Sequence, residues 1–141
     1  MDESLLLRQI PHSIEAEQAV LGAMLIDARC IPDVVESLSA DDFYLKANRQ
    51  IYETIYTMFN FSATIDPVTV LDQMKRTGVY DENNSSSYLL QLMEITPTAA
   101  NVKEYVRIVK DKALLRRIAD TAGGLTNLVQ KGGETAQAVL D

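Results

Sequence analysis

The sequence holds a single cysteine, Cys30, and a single histidine, His12. A structural zinc ion takes about four Cys/His/acid ligands and a catalytic one about three, so one chain cannot assemble a His/Cys zinc site. A lone cysteine also excludes an intrachain disulfide. None is needed, because a chain of 141 residues can bury roughly two-thirds of its unfolded surface. No apolar run approaches the ~20 residues of a membrane helix. Met1 to Gln9 carries Asp2 and Glu3 in place of the basic front of a signal peptide. The expected compartment is the cytoplasm, where a single thiol stays reduced. No Gly-Lys pair occurs, so the nucleotide-binding loop that ends in Gly-Lys-Ser/Thr is missing. A Ser–His–Asp device would have to use His12, which sits beside Pro11; a surface histidine at the start of a helix is the plainer reading. Strand-like alternation is nowhere sustained, and no internal repeat is visible.

What is present reads as helix from end to end. Ser13 is an N-cap, with Glu15 and Glu17 in the first turn, where the helix dipole favours acid. Ala16, Val20, Ala23 and Met24 follow at helical spacing. A shorter helix is expected over Ala28 to Leu38 with Pro32 in its first turn. A loop from Ser39 to Tyr44 then offers Phe43 and Tyr44 as aromatic plugs. Ile51, Ile55, Met58 and Phe59, with Tyr52 and Tyr56 alongside, mark a helix from Asn48 to Phe59 with a broad buried face. Asp66-Pro67 starts the next helix, which passes Val70, Leu71 and Met74 and stops at Gly78. Asp81 to Ser86 is a polar loop. Tyr88, Leu89, Leu92, Met93 and Ile95 form another short helix. The six tyrosines fall mostly at core spacing rather than on a base-stacking surface.

Pro97 divides the chain. The fold class expected is all-α: a head of short helices over 1-96 and a helical hairpin arm over 97-141. The arm's first helix should run from about Ala99 to Gln130, roughly 45 Å. Val102, Tyr105, Val106, Val109, Ala113 and Ala119 supply its apolar face. Gly123-Gly124 is a weak point in it, Gly132-Gly133 a turn, and Glu134 to Asp141 a second arm helix cut short. An incomplete hairpin leaves its seam uncovered, so Val102, Val106, Val109 and Ala113 are expected to self-associate.

Charge divides at the same place. Met1 to Thr98 holds six Lys/Arg and fifteen Asp/Glu, a net −9, whereas Ala99 to Asp141 holds seven and five, a net +2. The first part repels nucleic acid in bulk. Lys103, Arg107, Lys110 and Arg117 recur on one face of the long helix; they are either a solvated stripe or a surface for an acidic partner or DNA phosphates. Asp41-Asp42 and Asp81-Glu82 read as solvated loop acids. A stand-alone DNA-binding or adaptor protein using the basic helix therefore stays open as an alternative. A small hydrolase lacks the convergent polar residues that a pocket needs.

Several segments, taken together and in order, resemble the amino-terminal domain of DnaB-type replicative DNA helicases. They are Ile10-Pro11-His12-Ser13-Ile14-Glu15-Ala16-Glu17-Gln18-Ala19-Val20-Leu21-Gly22-Ala23, Asp41-Asp42-Phe43-Tyr44, Ile65-Asp66-Pro67-Val68-Thr69-Val70, Ser87-Tyr88-Leu89, Pro97-Thr98-Ala99-Ala100-Asn101-Val102 and Leu114-Leu115-Arg116-Arg117. The resemblance spans about residues 10 to 130. It implies a helical head with a hairpin, pairing of hairpins between neighbouring chains, and a hexameric collar arranged as a trimer of dimers. It also implies recruitment of a DnaG-type primase, with a helicase loader as a further partner. The parent enzyme would unwind DNA 5′ to 3′ with ATP and Mg bound in a later domain, while this part carries no catalytic residue and no cofactor. By position, the primase-facing residues implied are Tyr88, Ala119 and Leu125. Two departures from the family pattern are Gly123-Gly124 and the small Ala119.

Overall fold

The computed structural model describes residues 10–131, with side chains through residue 123. Among these residues there are six α-helices and no strand. They are α1 (Ile14–Ile26), α2 (Ile31–Ser37), α3 (Lys46–Asn60), α4 (Pro67–Arg76), α5 (Ser85–Glu94) and α6 (Val102–Lys131). Single 3₁₀ turns at Ala28–Cys30 and Ala40–Asp42 precede α2 and α3.

Helix α1 is the axle of the head, packed between α3, α5 and the first half of α6. The Ser13 hydroxyl accepts the Ala16 N–H at 3.2 Å and starts the helix. The apolar face extends beyond the four residues that periodicity marks. Leu21, Gly22 and Leu25 are buried as well, as befits a helix that is apolar all round. Gly22 is required by closeness: a Cβ there would overlap the Leu92 carbonyl oxygen and the Thr96 hydroxyl.

The other boundaries follow local chemistry. Pro32 lies in the first turn of α2. Asp66 and Thr69 form a reciprocal capping box at the start of α4, with Pro67 at its first position. Gly78, at φ 78°, ends α4. The Val79 N–H reaches back to the Met74 carbonyl at 3.0 Å, the six-to-one bond of a glycine-closed helix. Helix α6 starts three residues later than the sequence suggests, because Ala99 to Asn101 form a turn whose carbonyls accept from Val102, Glu104 and Tyr105. Its backbone then runs unbroken through Gly123-Gly124. The turn at Gly132-Gly133 and the second arm helix expected over Glu134 to Asp141 lie outside the described residues.

The first three turns of α6 belong to the head's core. Val102 and Val109 join the same buried cluster as Val20, Met24, Ile55 and Leu92, and Ala113 is 2% exposed. The seam expected to be uncovered is therefore covered from within the chain, and only Val106 among its four residues is half-buried. Among the described residues no helix is long and apolar enough to cross a membrane, and no group of three or more His, Cys, Asp or Glu side chains could hold a metal ion.

Candidate partner and assembly surfaces

Three places on the molecule carry the candidate residues. The first surrounds Tyr88 on α5. A buried polar chain begins at Glu17 on α1, whose carboxylate accepts the backbone N–H of Tyr44 (2.7 Å) and of Leu45 (3.4 Å) and the Asn48 Nδ2 amide (2.9 Å). Leu45 has no capping side chain of its own, so Glu17 caps α3 from a neighbouring helix. Asn48 Oδ1 in turn accepts from the Tyr88 hydroxyl at 2.5 Å, and that hydroxyl accepts from Gln18 Nε2 at 3.2 Å. Tyr88 is half-buried. Burial raises its phenol above the ordinary value; the Glu17 charge adds to this, and the hydrogen bonds with Gln18 and Asn48 offset part of it. Tyr88 lines an open cleft of about 520 Å³ together with apolar Leu45, Met74 and Val79 and polar Gln18 and Gln50.

The second place is the turn from Ser39 to Leu45. Asp42 is fully buried and is not the solvated loop acid its neighbours in sequence suggest. Its carboxylate accepts the Ser39 N–H at 2.8 Å and pairs with Lys110 at 3.5 Å and with Arg117 in a short contact. Burial works to raise its carboxyl, but the Ser39 N–H, Arg117 and Lys110 outweigh it and hold the group below the ordinary carboxylate value. Arg116 donates to the Pro11 carbonyl at 2.8 Å and the Asp42 carbonyl at 2.7 Å, and its guanidinium lies over the Tyr44 ring. His12 also packs against Tyr44, 4.4 Å between ring centroids.

The basic stripe thus splits by partner. Lys110 and Arg117 turn to Asp42, and Arg107 pairs with Glu104 and Asp111 along α6. Only Lys103 among the four makes none of these pairs, and it lies exposed. The acidic partner of the stripe is largely the chain itself.

The third place is the outward face of α6. Leu114, Leu115 and Ile118 are 53%, 47% and 56% exposed. Ala119 is exposed beside them. Leu125 lies in the helical backbone, but its side chain is outside the described residues. Val102, Val109 and Ala113, expected on an association surface, lie instead beneath the head.

Residues 9–111 match the family described as DnaB-like helicase N terminal domain. The chain belongs to this family. It is 35% identical over 134 residues to the replicative DNA helicase DnaB of Leifsonia xyli subsp. xyli, which covers 95% of this chain and 29% of that protein. It is 39% identical over 125 residues to the replicative DNA helicase DnaB of Mycobacterium leprae, covering 89% of this chain and 20% of that one. The chain spans less than a third of the length of these curated relatives. The crystal structure of the N-terminal domain of DnaB helicase from Mycobacterium tuberculosis matches with a TM-score of 0.87 at 37% identity, covering 93% of this chain and 94% of that one. The N-terminal domain of DnaB helicase from Helicobacter pylori, whose structure is described with its interactions with primase, shares the fold at a TM-score of 0.71 and 21% identity, over 92% and 99% of the two chains.

In this DnaB-like domain, three of the segments that carry the sequence resemblance meet in space. Pro11 and His12, Asp42 and Tyr44, and Arg116 and Arg117 form one node between the head and α6. Sequence reasoning passed over Glu17, Asn48, Asp42 and Arg116. A signal existed for the first two. Glu17 shares a helical face with Val20 and Met24, and Asn48 with Ile51, Tyr52 and Ile55. A polar group on an apolar face must find a hydrogen-bonding partner. Asp42 has a local partner in the Ser39 N–H, but nothing local marks its pairing with Arg117, 75 residues away.

Proposed function

We propose that this chain is the collar domain of a replicative DNA helicase, an assembly and partner-recruiting module acting in the cytoplasm. Its parent would unwind duplex DNA 5′ to 3′ as a hexameric ring, with ATP and Mg bound in a later domain. The observation that carries the reading is the geometry of α6. The helix is anchored to the head by Val102, Val109 and Ala113, and it then presents an exposed apolar strip of Leu114, Leu115 and Ile118. Clustered exposed leucine and isoleucine on a rigid helix favour burial against another chain. Self-association through the arm then falls on this strip. Closed symmetry can build a dimer from such a self-complementary surface, and a ring from a second one.

In this reading a DnaG-type primase takes the surface bordered by Tyr88, Ala119 and Leu125, and a helicase loader is a further partner. Primase docked on the collar is held at high effective concentration near the fork without any chemistry from this domain. The alternative of direct DNA binding by the basic helix is weakened by the pairing of Lys110, Arg117 and Arg107 with acids of the same chain. Sedimentation velocity of the parent chain and of Leu114→Asp/Ile118→Asp at matched concentrations tests the assembly reading: the variant should lose the associated species. Calorimetry of Tyr88→Ala with the helicase-binding domain of the cognate primase should show at least tenfold weaker binding, and unchanged affinity would remove primase from this surface. Submicromolar DNA affinity that falls steeply with salt would restore the DNA-binding alternative.

A further inference from the structure

The head grips α6 along two different lines. One is apolar: Val102, Val109 and Ala113 sink into the core. The other is polar and extends further out: Lys110, Arg116 and Arg117 reach back to Asp42. We infer that Asp42 is a positioning residue that aims the outer half of α6 relative to the head.

The apolar line covers roughly 16 Å of helix, from Val102 to Ala113. Beyond it the row passes to Arg116 and Arg117 at about 100° per residue, while Leu114, Leu115 and Ile118 lie on the opposite side and face outward, so among the described residues no buried apolar side chain follows Ala113. A rod gripped over only part of its length can rock about the end of the grip. About 27 Å of helix lies between Ala113 and Lys131, and a rock of about 10° would carry its end through roughly 5 Å. The second line of contact resists that motion because Arg116 and Arg117 hold the head past Ala113. Its anchor is rigid. Asp42 is fully buried, ends a 3₁₀ turn, and accepts the Ser39 N–H at 2.8 Å. The Asp42 backbone takes part too, since its carbonyl accepts from Arg116 at 2.7 Å. The same guanidinium holds the Pro11 carbonyl at 2.8 Å, so one node joins the chain before α1, the turn before α3, and α6.

The proposal concerns one chain's internal geometry and stands apart from the assembly reading. Dipolar electron spin resonance tests it on the full chain carrying Cys30→Ala, with nitroxides at Glu53→Cys and Thr121→Cys and dilution by unlabelled chain. A control pair at Glu53→Cys and Glu82→Cys reports on the head alone. Asp42→Asn keeps an acceptor for Ser39 but removes the charge. It should at least double the width of the head-to-helix distance distribution and leave the control pair sharp. Lys110→Gln/Arg117→Gln should give the same broadening from the helix side. These two side chains are half-exposed, so their replacement leaves the core intact and decides the matter if Asp42→Asn unfolds the head. A narrow, unshifted head-to-helix distribution in the helix-side variant would overturn the proposal.

Discussion

Glu17 and Asp42 are both buried carboxylates tied to the same turn, yet opposite means keep them in the fold. Glu17, 1% exposed, has no ion pair among the described residues. It is held by two backbone N–H groups and the Asn48 amide. Asp42 is held by one backbone N–H and by two bases from a distant helix. The Glu17 side is closed within the head: its donors are the Tyr44 and Leu45 N–H groups just before α3 and the Asn48 side chain, and they would be unsatisfied without it. The Asp42 side is a bridge, because its donors lie on another element and can return to water. A carboxylate served by dipoles maintains the fold. One served by flexible cations sets how two parts of the fold are aimed.

The largest expected effect follows directly. Glu17→Ala strips the Tyr44 and Leu45 N–H groups and the Asn48 amide of their acceptor in a buried site. Each unsatisfied group costs about 1–3 kcal/mol, so urea denaturation should show a loss of about 3 kcal/mol or more. Asp42→Asn should cost only about 1 kcal/mol, because half-exposed Lys110 and Arg117 regain hydration and pairs with exposed bases are worth little. Equal losses would erase the distinction between the two sites.

Acid titration separates the sites differently. The Asp42 carboxyl titrates below its ordinary value in the fold. A depressed folded pKa contributes stability that is fully present above the unfolded carboxylate pKa of about 3.9 and is lost as pH falls through the folded value. The difference in melting temperature between the parent chain and Asp42→Asn should therefore be constant from about pH 7 to pH 5 and close below about pH 4. Because Asp27, Asp81 and Glu104 also titrate low, the difference between variants is the informative quantity. A gap that persists undiminished to about pH 2.5 would mean that the Asp42 charge contributes nothing.

Helix positions and caps were legible in the sequence because they are local. The Ser13 and Asp66 caps, Pro32 and Pro67 in first turns and Gly78 at a helix end each act within four residues. The all-α class followed from the same signals. What was hidden depends on distance along the chain. Neutralisation of Lys110 and Arg117 requires Asp42, and periodicity says which face of α6 is basic without saying what it meets. The burial of Val102, Val109 and Ala113 beneath the head was hidden for the same reason. An apolar row predicts burial, but whether the chain's own head or a second chain does the burying is a tertiary fact. Val109 and Ala113 went to the head, which leaves the strip from Leu114 to Ile118 outside.

The smallest effect belongs to the far end of the Glu17 chain. Tyr88 sends its hydroxyl inward, to Asn48 Oδ1 at 2.5 Å and from Gln18 Nε2 at 3.2 Å, so what it offers the cleft is ring. Tyr88→Phe removes one donor and one acceptor at a half-buried site, where water can replace part of what is lost, and should cost about 1 kcal/mol of stability. Asn48 keeps its bond to Glu17, so the cap on α3 survives and the loss should stay well below that of Glu17→Ala. A partner seated on the ring face would bind Tyr88→Phe within about threefold of the parent while losing at least tenfold on Tyr88→Ala, the pattern of an apolar hot spot. Paired melting and calorimetry on the two variants make the comparison. If Tyr88→Phe loses as much affinity as Tyr88→Ala while folding normally, the partner must draw the hydroxyl out of the buried chain, and the boundary between a head-maintaining Glu17 network and an outward-facing binding surface would have to be redrawn through Tyr88 itself.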